Sequence, residues 1–374
     1  FITKATSKIL LILLGLLLAT MYMTNAWDSI IYLFLASCIL ASKNIKILKF
    51  GNKTHLNLLK ISLPRLTNVR IFLIETLKPI FLLIALLLLF SLPFNLNFKP
   101  FAEGIGILCA PQFLTNIGRL GPVLFEADHC QRTALWQLFI LYGFFYFFVF
   151  AFIIFLLKIK SNFNIFKEDI FILILIFVSS ILILLPEFLY IKDIYPAHYR
   201  ANTMFKLVYQ AFIILSISSG YVLARIITNF PAKGWFAPGG KLFRFLFFIF
   251  TILLLISVFI YPYFAIKSYY GDFKIYYGLD GISYMKQRLP EDYEAINFLN
   301  QNIKGRPVII EAQGDSYTDY ARISANTGLP TVLGWTVHEW LWRGSYDIAV
   351  PRIEDVRLIY ESNDLNQTNK ILRK

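Results

Sequence analysis

The run LWQLFILYGFFYFFVFAFIIFLL, Leu135 to Leu157, carries no charged side chain from end to end. A segment of that length and composition is long enough to cross the hydrocarbon of a bilayer as a helix. Six more apolar runs flank it. They are Ile9 to Met23, Ser29 to Ala41, Ile71 to Leu92, Ile170 to Leu189, a run ending near Ile227, and Leu242 to Ile266. The first two form a helical hairpin, with Asn25, Trp27 and Asp28 at its tip. Hydrophobic residues make up 57% of the chain and charged residues 16%. Soluble domains sit near 45–50% and about 25%, so the bulk of this chain is a membrane body.

The charge pattern orients the runs. Lys43 to Arg70 holds seven Lys and Arg and no acid. Lys158 to Asp169 (less cleanly) and Arg225 to Arg244 are the other basic connections. They alternate with the connections at Asp28, at Pro93 to Thr133 and at Glu187 to Asn202. The positive-inside rule places the basic set in the cytoplasm and the other set outside. The formal charge of +13 follows from these short loops, which argues against nucleic-acid binding. The expected fold is an α-helical polytopic membrane domain of about seven spans, residues 1–266, followed by a small α/β extracytoplasmic domain, residues 267–374. The chain begins at Phe1 and stops at Lys374 within a helix-like run, and reads as a fragment.

Two outer segments are polar. Pro93 to Thr133 contains Cys109 and Cys130, which pair if they face an oxidising compartment and their Cα atoms approach. Glu187 to Lys206 crowds Glu187, Asp193, His198, Arg200 and Lys206 into one short connection. Ionisable groups beside a membrane cavity are functional candidates, because burying them is costly; ordinary solvated loop residues are the alternative. Asp28 either contacts a headgroup or cation, or caps the second helix.

The C-terminal segment has a different character. Pro290 to Asn300 has helical spacing, with Pro and acids in its first turn. Val308 to Ile310 reads as a buried strand and Thr331 to Leu333 as a second one. Their polar loops offer Glu311, Asp315 and Tyr317 on one side and Trp335, His338 and Glu339 on the other, with Arg322 between. Trp faces suit sugar rings or lipid headgroups, while Arg322, Arg343 and Arg352 suit phosphate. The His338-Glu339 pair is not a zinc-protease motif, since Trp342 stands where the second His is needed. No metal-ligand spacing is present, although a bridging divalent cation remains compatible with the acids.

The segments Leu279 to Gly281, Pro290 to Asn300, Glu311 to Tyr317 and Thr327 to Trp335, continuing through His338 and Glu339 to Gly344, together resemble the YYY membrane proteins. Thr24 to Asp28 and Asn202 to Lys206 match as well. That resemblance implies a relative of GT-C membrane glycosyltransferases, which use polyprenyl-phosphate sugars on the outer face. It also implies that the tyrosine triplet and an acidic first outer loop lie in an N-terminal half. The leading expectation is therefore transfer of a sugar from a lipid-phosphate donor to a glycan acceptor. Asp28, Glu187, Asp193, His198, Arg200 and Lys206 would line the membrane-side cavity, and Asp315, His338, Glu339 and Arg343 would hold the acceptor. A non-catalytic binder of surface glycan or lipid is the first alternative and a transporter the second.

Overall fold

The computed structural model describes residues 4–48, 66–98, 102, 104–159, 166–192, 198–229, 241–271 and 278–374. The chain forms two compact units, residues 1–98 with 102–254 and residues 99–101 with 255–374.

The first unit is a helical bundle. Its long helices are α1 (Lys4–Thr24), α2 (Ala26–Asn44) and α3 (Leu66–Phe90), followed by one-turn α4 (Leu92–Asn95) and α5 (Gln112–Thr115). Then come α6 (Leu135–Ile159), α7 (Lys167–Leu184), α8 (Ala201–Asn229) and α9 (Lys241–Tyr270), whose last turns belong to the second unit. Among the described residues six helices are long and apolar enough to cross a membrane. The seventh expected span is α1, whose apolar part, Lys8–Thr24, is shorter.

The core lies between α6, α7 and α8. On α6 the buried side chains Tyr142, Phe145, Phe148, Phe152 and Phe155 recur every three to four residues, so they form one stripe. Phe145 meets Phe212 of α8 edge-on at 5.3 Å between centroids. The aromatic run thus packs helices, with Phe145 and Phe148 turned inward. Ala211, Ser218 and Ser219 are small buried residues on α8, which lets neighbouring backbones approach, as membrane helix interfaces require. Gly15 does the same for α1, since a Cβ there would lie 2.6 Å from Cβ of Leu86 on α3.

The small sheet sits in this unit, in connections that the sequence marks only as loops. Its strands are β1 (Gly104–Ile107), β2 (Arg119–Leu120), β3 (Val123–Leu124) and β4 (Leu189–Lys192), in the order β2-β3-β1-β4. β1 runs parallel to β3 and antiparallel to β4, with Gly106 opposite Tyr190. Gly121, at φ +59°, turns the β2–β3 hairpin. The sheet ties the segment before α6 to the segment after α7. Cys109 and Cys130 are joined as a disulfide.

The second unit contains α10 (Met285–Arg288), α11 (Pro290–Asn302), α12 (Arg322–Thr327), α13 (Thr336–Arg343), α14 (Val350–Glu361) and α15 (Leu365–Leu372). The two strands expected here reduce to one parallel bridge, Ile309 to Thr331, and Val308 is exposed rather than buried. Pro307 and Pro330 flank the bridge, and proline cannot donate to a ladder. Only the Ile309 N–H to Pro330 and the Val332 N–H to Ile309 bonds form. Trp335 leads directly into α13, so His338 and Glu339 stand on a helix instead of a loop.

Candidate functional site

Topology gathers one end of the bundle. There α6 and α8 begin and α7 ends, and the sheet closes over them. Tyr190 is fully buried on β4, its ring lying over Gly106, where an added Cβ would come within 2.1 Å of it. A glycine is therefore required beneath it. The Tyr190 hydroxyl donates to Glu126 Oε2 at 2.5 Å and also meets His129 Nδ1. Lys192 Nζ donates to Glu126 Oε1 at 2.7 Å. The His129 ring stacks on Tyr199 at 4.0 Å with an interplanar angle of 10°.

The electrostatics of this group follow from its bonds. Burial pushes the Glu126 carboxyl upward. The hydrogen bonds from Lys192 and Tyr190, with the Lys192 charge, outweigh that and hold it below the ordinary carboxylate range. The Tyr190 hydroxyl moves the other way, raised by burial and by its bond to Glu126. An ionised carboxylate only accepts, so the single Tyr190 proton is committed to Glu126. His129 Nδ1 must then donate to the Tyr190 oxygen, and in neutral His129 the lone pair lies on Nε2. His129 remains 24% exposed. The arrangement can take a proton from a hydroxyl brought to Nε2.

Backbone strain concentrates at the same place. Cys109 and Asp128 adopt φ of +54° and +62° without being glycine. Such conformations persist only where the surroundings fix them, and they cluster at functional sites. Here the Cys109 N–H bonds to the His129 carbonyl at 2.9 Å, and the disulfide to Cys130 follows one residue after His129.

The pH dependence can be stated with its sign. The Glu126 carboxyl is lower in the folded protein than its ordinary 4.5. Its contribution to stability is therefore fully present above pH 4.5 and is lost as pH falls through the lowered folded value. Glu126→Gln should lower the thermal midpoint at neutral pH, and the two midpoints should converge in acid. A gap independent of pH would show that the carboxylate charge is not what Lys192 and Tyr190 recognise.

Several residues singled out from the sequence lie near this group. Glu187 and Arg200 form a buried ion pair at 2.6 Å. Glu187 also accepts from the Thr133 N–H and hydroxyl, both at 2.7 Å, while Arg200 donates to the carbonyls of Pro186 and Gln131. This pair joins the start of α6, the end of α7 and the start of α8. Asp28, in the first turn of α2, accepts from Gln210 on α8 at 2.9 Å. Lys206 lies one turn before Gln210 on α8, with its ammonium 5.7 Å from the Phe205 ring centre. His198 is exposed, and its buried neighbour Tyr199 makes the contact to His129. Asp193 lies outside the described residues.

The remaining candidates belong to the second unit. Tyr317, Trp335 and His338 form a triad with ring centres 5.2–5.5 Å apart. Glu339 bonds Arg343 one turn on and accepts from the Gly334 N–H at 3.3 Å. Arg322 is committed to Asp292 of α11 at 2.6 Å. Asp315 is exposed. Glu311 is buried and accepts from the Ile323 and Ser324 N–H groups, at the start of α12. Among the described residues no group of three or more His, Cys, Asp or Glu side chains could hold a metal ion.

Glu126, His129, Tyr190, Lys192 and Tyr199 were not evident as candidates from the sequence. The available signal was an acid and a histidine three residues apart, the histidine directly before Cys130. Their partners on β4 stand more than sixty positions away, and only the sheet brings them in.

No curated protein and no solved structure matches the chain. A membrane-protein family does, at residues 3–167 and 154–215, which together make up more than half of the 374 residues and include the bundle end just described. The chain is an integral membrane protein and belongs to the family described as Uncharacterized membrane protein (DUF2298).

Proposed function

We propose that the protein is a GT-C-like glycosyltransferase that takes a sugar from a polyprenyl-phosphate donor on the outer face of the cell membrane. The observation that carries this reading is the chain Glu126–Tyr190–His129, which leaves His129 Nε2 as a proton acceptor at the end of the bundle. The resemblance to YYY membrane proteins supports the substrate class. In the reaction, an acceptor hydroxyl gives its proton to His129 as its oxygen bonds to the anomeric carbon of the sugar. The bond from that carbon to the phosphate oxygen breaks, and the lipid phosphate leaves with the electron pair. Lys192 and Lys206 are the ammonium groups offered to the leaving phosphate.

The side assignment rests on two features. The disulfide belongs to an oxidising compartment, and the basic connections lie at the opposite ends of the helices. On this reading residues 1–266 form the membrane domain and residues 267–374 an extracytoplasmic domain that binds the glycan acceptor. Asp315, His338, Glu339 and Arg343 are its acceptor-side candidates.

The test uses the full chain in liposomes with a radiolabelled polyprenyl-phosphate hexose and an oligosaccharide acceptor. Wild-type protein should transfer label, and His129→Gln should reduce the rate by about 10²–10⁴-fold, the usual worth of a positioned base. Full transfer by His129→Gln would remove this residue from the mechanism. Binding of the oligosaccharide without turnover would favour a non-catalytic glycan-binding protein, a reading that the aromatic triad of the second unit also suits.

A further inference from the structure

The second unit contains a cavity of about 340 Å³ lined by Ala321, Ser324, Ala325, Trp335, His338 and Glu339. Its size lies in the range of small-ligand pockets. Three properties of its lining point to one kind of ligand.

The first is a fixed aromatic wall. The Trp335 indole N–H donates to the Tyr320 carbonyl at 2.9 Å. That bond uses the polar edge of the indole and sets the plane of the ring. Tyr317 and His338 pack against it at 5.5 and 5.2 Å, and His338 Nε2 meets the Tyr317 hydroxyl at 3.3 Å. The Trp335 ring is held by its indole-edge bond, so little of its rotamer freedom is left to lose on binding, while Tyr317 stays largely exposed.

The second is a floor of small residues. Ala321, Ser324 and Ala325 come from the α12 region, and their short side chains leave the cavity room for a ligand. Two left-handed non-glycine residues, Tyr317 at +63° and Ala321 at +62°, shape the loop that carries this wall to α12. Their conformational cost is borne to hold that loop in place.

The third is the polar rim. The Glu339 carboxylate lines the cavity while anchored by Arg343 and by the Gly334 N–H. A pyranose ring has one face of C–H bonds and an equatorial belt of hydroxyls. The indole face, negative in its quadrupole, suits the C–H face, and an anchored carboxylate accepts from hydroxyls. A flat nucleobase would not need that acceptor rim, and an anionic ligand would meet Glu339 unfavourably.

We infer that this cavity is a pyranose-binding site, with Trp335 as the stacking wall and Glu339 with His338 as hydroxyl partners. The inference deepens the glycosyltransferase reading by giving its acceptor a ring-sized site, but its test is independent of turnover. Full-length protein in detergent is titrated with maltotriose, mannotriose and chitotriose, and binding is read by saturation-transfer NMR from protein to sugar protons. At least one trisaccharide should bind. Trp335→Ala should weaken it about tenfold or more, as removal of a central aromatic anchor does. Ala325→Leu, which fills the cavity from an exposed position, should abolish binding and guards against a folding defect in the tryptophan variant. Binding of none of the three sugars, or unchanged binding in Ala325→Leu, would overturn the site. Binding without transfer would leave it standing and defeat the transferase. Transfer with unchanged binding in both variants would do the reverse.

Discussion

Arg225→Ala is expected to destabilise the membrane bundle by about 3–5 kcal/mol, the usual cost of leaving one member of a buried ion pair behind. Asp169, at the start of α7, has no exposed surface, and the Arg225 side chain near the end of α8 is 5% exposed. The contact is bidentate, Nε to Oδ1 at 3.0 Å and Nη2 to Oδ2 at 3.1 Å. Tyr221 donates to Oδ1 at 2.8 Å and the Phe166 N–H to Oδ2 at 2.9 Å, so the carboxylate is enclosed by donors. The guanidinium lies 4.0 Å from the Phe166 ring centre and 5.6 Å from that of Phe155, which adds cation–π attraction in a dry site. Removing the arginine strands the acid and opens a gap between these rings. The measurement is the thermal midpoint of detergent-solubilised protein. Pairing the change with Asp169→Leu should recover most of the loss, because the stranded charge is then gone. A single variant as stable as wild type would mean that the carboxylate reaches water.

Arg200→Ala should cost a similar amount, about 3–5 kcal/mol, with an added effect on the site. Its partner Glu187 keeps the two Thr133 donors but loses the guanidinium. The carbonyls of Pro186 and Gln131 lose their donor as well. Gln131 is two residues from His129, so the imidazole should lose its position against Tyr190 and Tyr199. Arg200→Lys preserves charge but not the fork that reaches Glu187, Pro186, Gln131 and Thr133 at once, and should fall between wild type and alanine. The check is the thermal midpoint together with the His129 ring resonances. Unmoved resonances in Arg200→Ala would separate the ion pair from the site.

What the sequence reveals here depends on how local each signal is. The long helices are legible because a span announces itself by composition alone, as at Leu135 to Leu157. Most of their ends fall within a few residues of the expected runs; the run read from Ile170 to Leu189 overshoots, because α7 ends at Leu184 and Leu189 already belongs to β4, and α3 begins at Leu66 rather than Ile71. The sheet is not legible, because strands of two to four residues such as Arg119–Leu120 show no alternation to read. The disulfide stays open at the level of sequence and depends on the left-handed turn at Cys109. Of the crowded segment from Glu187 to Lys206, the described residues Glu187 and Arg200 pair at the bundle end. Among its described residues His198 is exposed, while the histidine that Tyr190 holds is His129. His129 has only short-range neighbours in the sequence, and its partners arrive through β4.

The two ion pairs bracket one hairpin. Glu187–Arg200 closes α7 against α8 at the end where the chain turns, and Asp169–Arg225 closes them at the open end. Biosynthesis feels this before function does. If α7 were released into lipid by itself, Asp169 would lack its counter-charge until Arg225 of α8 emerged 56 residues later. An unpaired ionisable group in a nascent helix resists release into hydrocarbon. The physical expectation is that α7 and α8 settle into the bilayer together, with Asp169 and Arg225 paired at the basic end of the hairpin.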